Sequence, residues 1–234
     1  MNQFKIVAIL PIKFFGLDLS FTNASLFMML ASVIFIALAF AQKYLILPGF
    51  IQFANERIYT FINDISIHYL GKESDRYTPF LIALFVFVLF GNLLGLVPHS
   101  FTFTSHLSAN LVIALSVFGL SIFVGYKKHG TRFLRLFVPS GVPTVIKPLI
   151  FVIELALFFI KPLVMALRLS VNMIAGHVVL KVILGYAVTL LYLKFIPIVG
   201  YATMILFEMA VAFFQAYIFV LLSCISLKDV LYLH

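Results

Sequence analysis

Five ionisable residues lie inside long apolar stretches of this 234-residue chain: Glu154, Lys161, Arg168, Lys181 and Glu208. A charge in hydrocarbon-like surroundings costs on the order of 3 kcal/mol or more, so each needs a partner or a task. Lys161 and Lys181 carry long stems that let the ammonium reach a polar edge. Lys161, directly before Pro162, reads as the mark of a helix end. Glu154 fits two readings equally, a structural pair with a Lys or Arg and a place in proton traffic. Arg168 differs from the others. No acidic residue stands within a helical turn of it. Its guanidinium keeps its proton in proteins, so it is a fixed cation and not a carrier. That pattern calls for an anionic partner from another subunit.

Helical spacing sorts the neighbours. At about 100° per residue, Asn172 lies about 40° from Arg168 and Ala175 about 20°, whereas His177 lies about 180° away. One helix therefore offers an Arg/Asn face and, on its back, a titratable imidazole. Ala175 and Gly176 are small enough to admit a second helix closely near the Arg/Asn face. Glu208 and Gln215, seven residues apart, fall within about 20° of each other on a later helix. His177 and Glu208 can both exchange protons or hold water in a protein-lined cavity.

The elements that must position these groups follow from composition. Hydrophobic residues make up 64% of the chain and charged ones 10%. A soluble domain carries about a quarter charged residues and could not build a polar skin from so few. The expected fold class is all-α, a single multi-pass membrane domain over 1–234. A first span covers 25–42, capped by Thr22 or Asn23, with Pro48-Gly49 breaking the chain after it. Residues 50–70 show apolar positions at helical spacing with Asn55, Glu56, Asn63 and Asp64 between them. They read as an amphipathic helix on the membrane surface or against another subunit. Residues 79–126 form a membrane hairpin broken at Pro98, followed by a basic, Pro-rich loop. From 149 to 193 the chain is almost continuously apolar. Forty-five helical residues would reach about 68 Å, against about 30 Å for an upright span. A long, steeply tilted helix is favoured over two spans, because only Gly176 and Gly185 offer a bend and neither adjoins a proline. The last helix runs 198–226 after a turn at Lys194–Pro197, so 146–226 form a tilted helix pair.

Orientation comes from Lys and Arg. Segment 43–78 carries four and 127–147 carries five, while the turn between the hairpin spans carries none. The positive-inside rule places those two segments and the C-terminus on the cytoplasmic or matrix side, and the N-terminus outside, with five crossings. The net charge of +8 is accounted for by these loops and not by nucleic acid. The first stretch of about 13 residues is too short and mixed for a span or a cleavable leader. The single cysteine, Cys224, excludes an internal disulfide framework and reads as a packed thiol. No Walker-type glycine loop, cofactor motif or metal motif is read.

The string Arg168-Leu169-Ser170-Val171-Asn172-Met173-Ile174-Ala175-Gly176-His177 resembles the R-L-x-x-N-M-x-A-G-[EH] motif of subunit a of the F-type ATP synthase. The stretch from Glu208 through Gln215 to Asp229 is similar to that family's closing helix. Ser20–Asn23, Phe90–Pro98 with Asn92, and Ser100–His106 support the likeness, which covers nearly the whole chain in order. The resemblance implies a non-catalytic proton-channel subunit that flanks a rotating c-ring, without cofactor or metal, beside a peripheral-stalk subunit b and other Fo subunits. It implies that Arg168 faces the c-ring carboxylates and that Asn172 and Gln215 support that polar surface. His177 and Glu208 would line the outer half-channel, with Asn92, His106 and Ser108 as further lining groups near the outer side. Glu154 would serve the inner one. The His177/Glu208 combination looks like the mitochondrial and alphaproteobacterial branch, which implies the mitochondrial inner membrane, with a bacterial plasma membrane as the alternative.

Two other classes make different demands. A self-contained ion-coupled transporter calls for internal repeats and a substrate cavity within one chain, and neither is found in the sequence. A purely structural membrane subunit leaves Arg168, His177 and Glu208 without work.

Overall fold

The computed structural model describes residues 8–10, 13–14, 17–18, 20–40, 49–97, 101–130, 133, 146–189 and 195–232. The expectations for Lys43, Pro48, Pro98, Lys194 and most of the basic loop, Arg132 and Arg135 included, lie outside the described residues.

Among the described residues six α-helices follow one another: α1 (Asn23–Phe40), α2 (Phe50–Leu70), α3 (Ser74–Leu96), α4 (Leu107–His129), α5 (Lys147–Thr189) and α6 (Phe195–Leu231). Four stretches among the described residues are long and apolar enough to cross a membrane, Gln52–Leu96, Leu107–His129, Lys147–Gly185 and Pro197–Leu231. The chain is an all-α, multi-pass membrane protein. The fifth expected crossing coincides with α1, whose 18 residues reach about 27 Å, close to the hydrocarbon thickness. Its start is capped reciprocally: Ser25 N–H donates to Thr22 Oγ1 at 3.4 Å and Thr22 N–H to Ser25 Oγ at 2.9 Å.

The N-terminal segment, in which no span was expected, carries short strands. Strand β1 (Ala8–Leu10) pairs antiparallel with β4 (Phe21–Thr22), and β2 (Lys13–Phe14) with β3 (Leu17–Asp18), as two short ladders nested one inside the other. Strands of two or three residues carry too few alternating positions to show a period of two in sequence.

Helix α2 is partly covered by the chain's own helices. It folds back on α3: the Thr78 hydroxyl donates to Ser66 Oγ at 3.0 Å, and the Phe61 ring stands 6.1 Å from Phe85. Phe61 also meets Phe213 and Tyr217 of α6. Ile62 and Leu70 are thereby fully buried, whereas Phe50 and Phe53 of the same apolar stripe stay exposed, at 87% and 47%. An amphipathic pattern states that one face needs a cover and does not say which surface supplies it.

Helix α5 runs unbroken for 43 residues, about 65 Å, in accord with the long-helix reading. Pro162 lies inside it and does not end it, contrary to the reading of Lys161 as an end marker. A proline removes one ladder bond. Here packing on both sides holds the helix through that gap, with Phe158 4.7 Å from Phe118 of α4 and Lys161 bonded to Asp229 of α6. Pro79 likewise sits inside α3, which starts five residues before the expected span. Helix α6 extends past the expected bounds at both ends. The core lies where α3, α4, α5 and α6 meet, around Leu81, Phe85, Leu169, Val220 and Leu227.

Candidate functional site

Helices α5 and α6 run antiparallel, and the Glu208 side chain of α6 packs against Gly176 of α5. A Cβ built on Gly176 would lie 2.6 Å from Glu208 Oε1 and 2.9 Å from its carboxyl carbon. The carboxyl of Glu208 thus rests on the bare backbone of α5. Further along, Gly200 faces Ile183. That pairing continues the same register, and extending it the other way brings Gln215 within about one residue rise of the level of Arg168. The sequence reading of Gly176 as a point of close helix approach holds, and the approaching helix belongs to the same chain.

Glu208 is buried, 8% exposed, and its Oε1 has no hydrogen-bond partner among the described residues. A buried, partnerless carboxylate oxygen is costly unless protonation or water relieves it. Space exists for the latter. A pocket of about 150 Å³ opens beside it, lined by Asn172, Met173 and Gly176 of α5, Leu96 of α3, and Met204 and Phe207 of α6. Asn172 and Glu208 therefore share one cavity.

His177 is also buried, on the other side of α5. Its Nε2 lies 3.1 Å from Thr102 Oγ1, and the same hydroxyl lies 3.2 Å from the carbonyl of Gly95. Gly95 is required here, because a Cβ would meet Thr102 Cγ2 at 2.6 Å. The turn between α3 and α4 is folded inward, not held in water, with Phe101 to Ser105 all buried. One group near this turn, Asn110, was not among the residues expected from the sequence. Asn110 donates to the carbonyl of Thr104 at 2.6 Å and to Ser170 Oγ at 2.8 Å, tying the turn to α5 two residues from Arg168. An amide one turn inside an apolar span was the available signal.

The remaining expected site residues divide. Asn92 is fully buried and neither amide atom has a partner among the described residues. His106 stacks on Phe101 at 5.3 Å, its Nε2 is likewise unpartnered, and burial holds its pKa below the ordinary imidazole value. Asn92, His106, Thr104 Oγ1 and Asn110 Oδ1 together leave several buried polar atoms unsatisfied at one end of the bundle, a set that ordered water would complete. Ser108 is exposed on the first turn of α4 and does not join them. Glu154 is half-buried on α5, fourteen residues before Arg168, about 21 Å along the axis, and the structure does not bring it to the others.

Arg168 is exposed on α5. Two ion pairs occur among the described residues, Lys128–Glu73 at 3.2 Å and Lys161–Asp229 at 2.9 Å, and neither involves Arg168, Glu154 or Glu208. Lys161 thus has a partner on α6 and does not stand alone at a polar edge.

A family model described as "ATP synthase A chain" matches residues 23–228.

Proposed function

Because this chain belongs to the ATP synthase A chain family, we propose that it forms the stationary wall of a proton path, with Arg168 facing the ionisable carboxylates of a rotating c-ring. The observation that supports this reading is an exposed arginine, deep in a 43-residue apolar helix, outside both ion pairs among the described residues. A permanent cation in a bilayer needs an anion, and a partner that passes in turn supplies one without locking the complex.

The proposed proton route uses the polar and acidic groups around Arg168. Protons enter from the outer side through the unsatisfied polar set at Asn92 and His106, and reach His177 and Glu208. Glu208 passes a proton to a c-ring carboxylate, which becomes neutral and turns away into lipid. After a near-full turn the carboxylate releases its proton to the inner side, where Glu154 would receive it. The ionised carboxylate then passes Arg168, whose charge favours the deprotonated form and blocks direct passage between the two sides. Asn172 and Gln215 supply neutral hydrogen bonds at the level of this exchange. Ser108, exposed on the first turn of α4, is a further lining group near the outer side. The N-terminus lies on the outer side, the Lys- and Arg-rich ends face the matrix or cytoplasm, and the membrane is that of a mitochondrion or a bacterium. A peripheral-stalk subunit b and the other Fo subunits hold the wall still against the ring.

The test is Arg168→Ala in the assembled complex, reconstituted in vesicles. ATP-driven proton pumping is expected to fall at least about tenfold, with passive proton leak unchanged or raised. Near-normal pumping would refute the assignment.

A further inference from the structure

The opposite end of the bundle carries a cavity that this proton route does not use. It holds about 470 Å³ between the start of α3 and the end of α4, within the roughly 300–1,000 Å³ usual for ligand sites. Its rim carries Arg76, Lys127 and Lys128 against one acid, Glu73. Lys128 is shared with Glu73 at 3.2 Å and with the face of the Tyr232 ring at 5.6 Å. Arg76 and Lys127 are exposed and take part in neither ion pair among the described residues, so the rim has a surplus of two positive charges. Below the rim the wall turns apolar along Tyr77, Phe80, Leu120 and Phe123, about two helical turns deep measured from Lys127 to Leu120.

A cationic rim above an apolar wall matches a molecule with an anionic head and hydrocarbon tails. We propose that this groove binds an acidic glycerophospholipid, its phosphate held between Arg76 and Lys127 and an acyl chain lying along Phe80, Leu120 and Phe123. Two features favour lipid over a free phosphate or a soluble anion. The groove extends into the apolar part of two membrane-crossing helices, and Phe123 is 64% exposed there, in position to meet a chain. Basic pockets between helices on the Lys/Arg-rich side of a membrane are suited to acidic head groups.

The test uses the assembled complex in nanodiscs of phosphatidylcholine doped with phosphatidylglycerol bearing a photoactivatable group on one acyl chain. Cross-linked peptides are then mapped by mass spectrometry. Label is expected on the peptide spanning 120–128, with at least several-fold less from the matching phosphatidylcholine probe. Removing each charge, by Arg76→Gln and Lys127→Gln, should lower the yield about fivefold. Arg76→Lys, which keeps the charge, should retain most of it. Leu120→Trp, which fills the wall, should displace the label even with the rim intact. Equal labelling by both probes would reduce the groove to an ordinary lipid contact. Loss of label on adding inorganic phosphate would make it a site for the free anion, and no label at all would leave it to protein. Any of these overturns the proposal.

Discussion

The two ends of the α5–α6 seam treat charge in opposite ways. At one end Lys161 and Asp229 meet at 2.9 Å, each well over a third exposed, and cancel within the chain. At the other, Glu208 is sealed against Gly176 with one carboxylate oxygen unpartnered among the described residues, and Arg168 stands exposed between the two ends. A compensated pair at the rim is worth little, typically under about 1 kcal/mol. An uncompensated group in an apolar setting costs more than a stable fold would tolerate without reason. On the proposed reading, the seam separates a neutral joint from a segment whose charge balance is completed from outside, by protons at Glu208 and by a neighbouring subunit at Arg168.

That contrast can be tested at four points. The largest effect is expected at Glu208. Glu208→Gln keeps the shape and removes the exchangeable proton, so ATP-driven pumping should fall about tenfold or more while the complex still assembles. Assembly is read by co-purification with the c-ring; normal pumping would place Glu208 among inert buried acids. Gly176→Ala should come next. Its Cβ would push the Glu208 carboxyl from its seat, and a flexible side chain yields cheaply. Thermal stability in nanodiscs should stay near wild type while pumping drops several-fold, and a loss of stability without loss of pumping would assign Gly176 to packing alone. Gly95→Ala acts one layer further out. It would crowd Thr102, which bonds His177. A destabilisation of about 1–3 kcal/mol is expected, with a smaller fall in pumping that Thr102→Val should reproduce without the crowding. The smallest effect belongs to the other end. Lys161→Gln paired with Asp229→Asn should leave pumping intact and cost under about 1 kcal/mol. A large pumping defect there would erase the distinction between the ends.

Much of this was legible from residue types. Forty-five apolar residues without a paired glycine and proline implied a long continuous helix, and α5 is one. The Arg168/Asn172 face and the close approach at Gly176 followed from a period of 3.6 residues. Other features were not legible, for local physical reasons. The stripe on α2 announced a buried face, but α3, α6, a lipid surface and another subunit offer the same apolar chemistry to it. Pro162 and Lys161 looked like a helix end, because a missing ladder bond is visible in sequence and the packing that tolerates it is not. Ser108 and His106 stand two residues apart, and only the inward fold of the turn separates an exposed hydroxyl from a half-buried imidazole.

Sequence by itself determined the solvent, the order of the long apolar helices and which residues could carry charge into the bilayer, since each depends on side-chain chemistry and on periodicity along one chain. Tertiary structure alone decided which charges are cancelled and which are left open. Lys161 is separated from Asp229 by 68 residues and His177 from Thr102 by 75, and no local rule of spacing reaches across such distances. The antiparallel register of α5 and α6 makes that decision, joining Lys161 to Asp229 at one point and seating the Glu208 carboxyl on Gly176 at another.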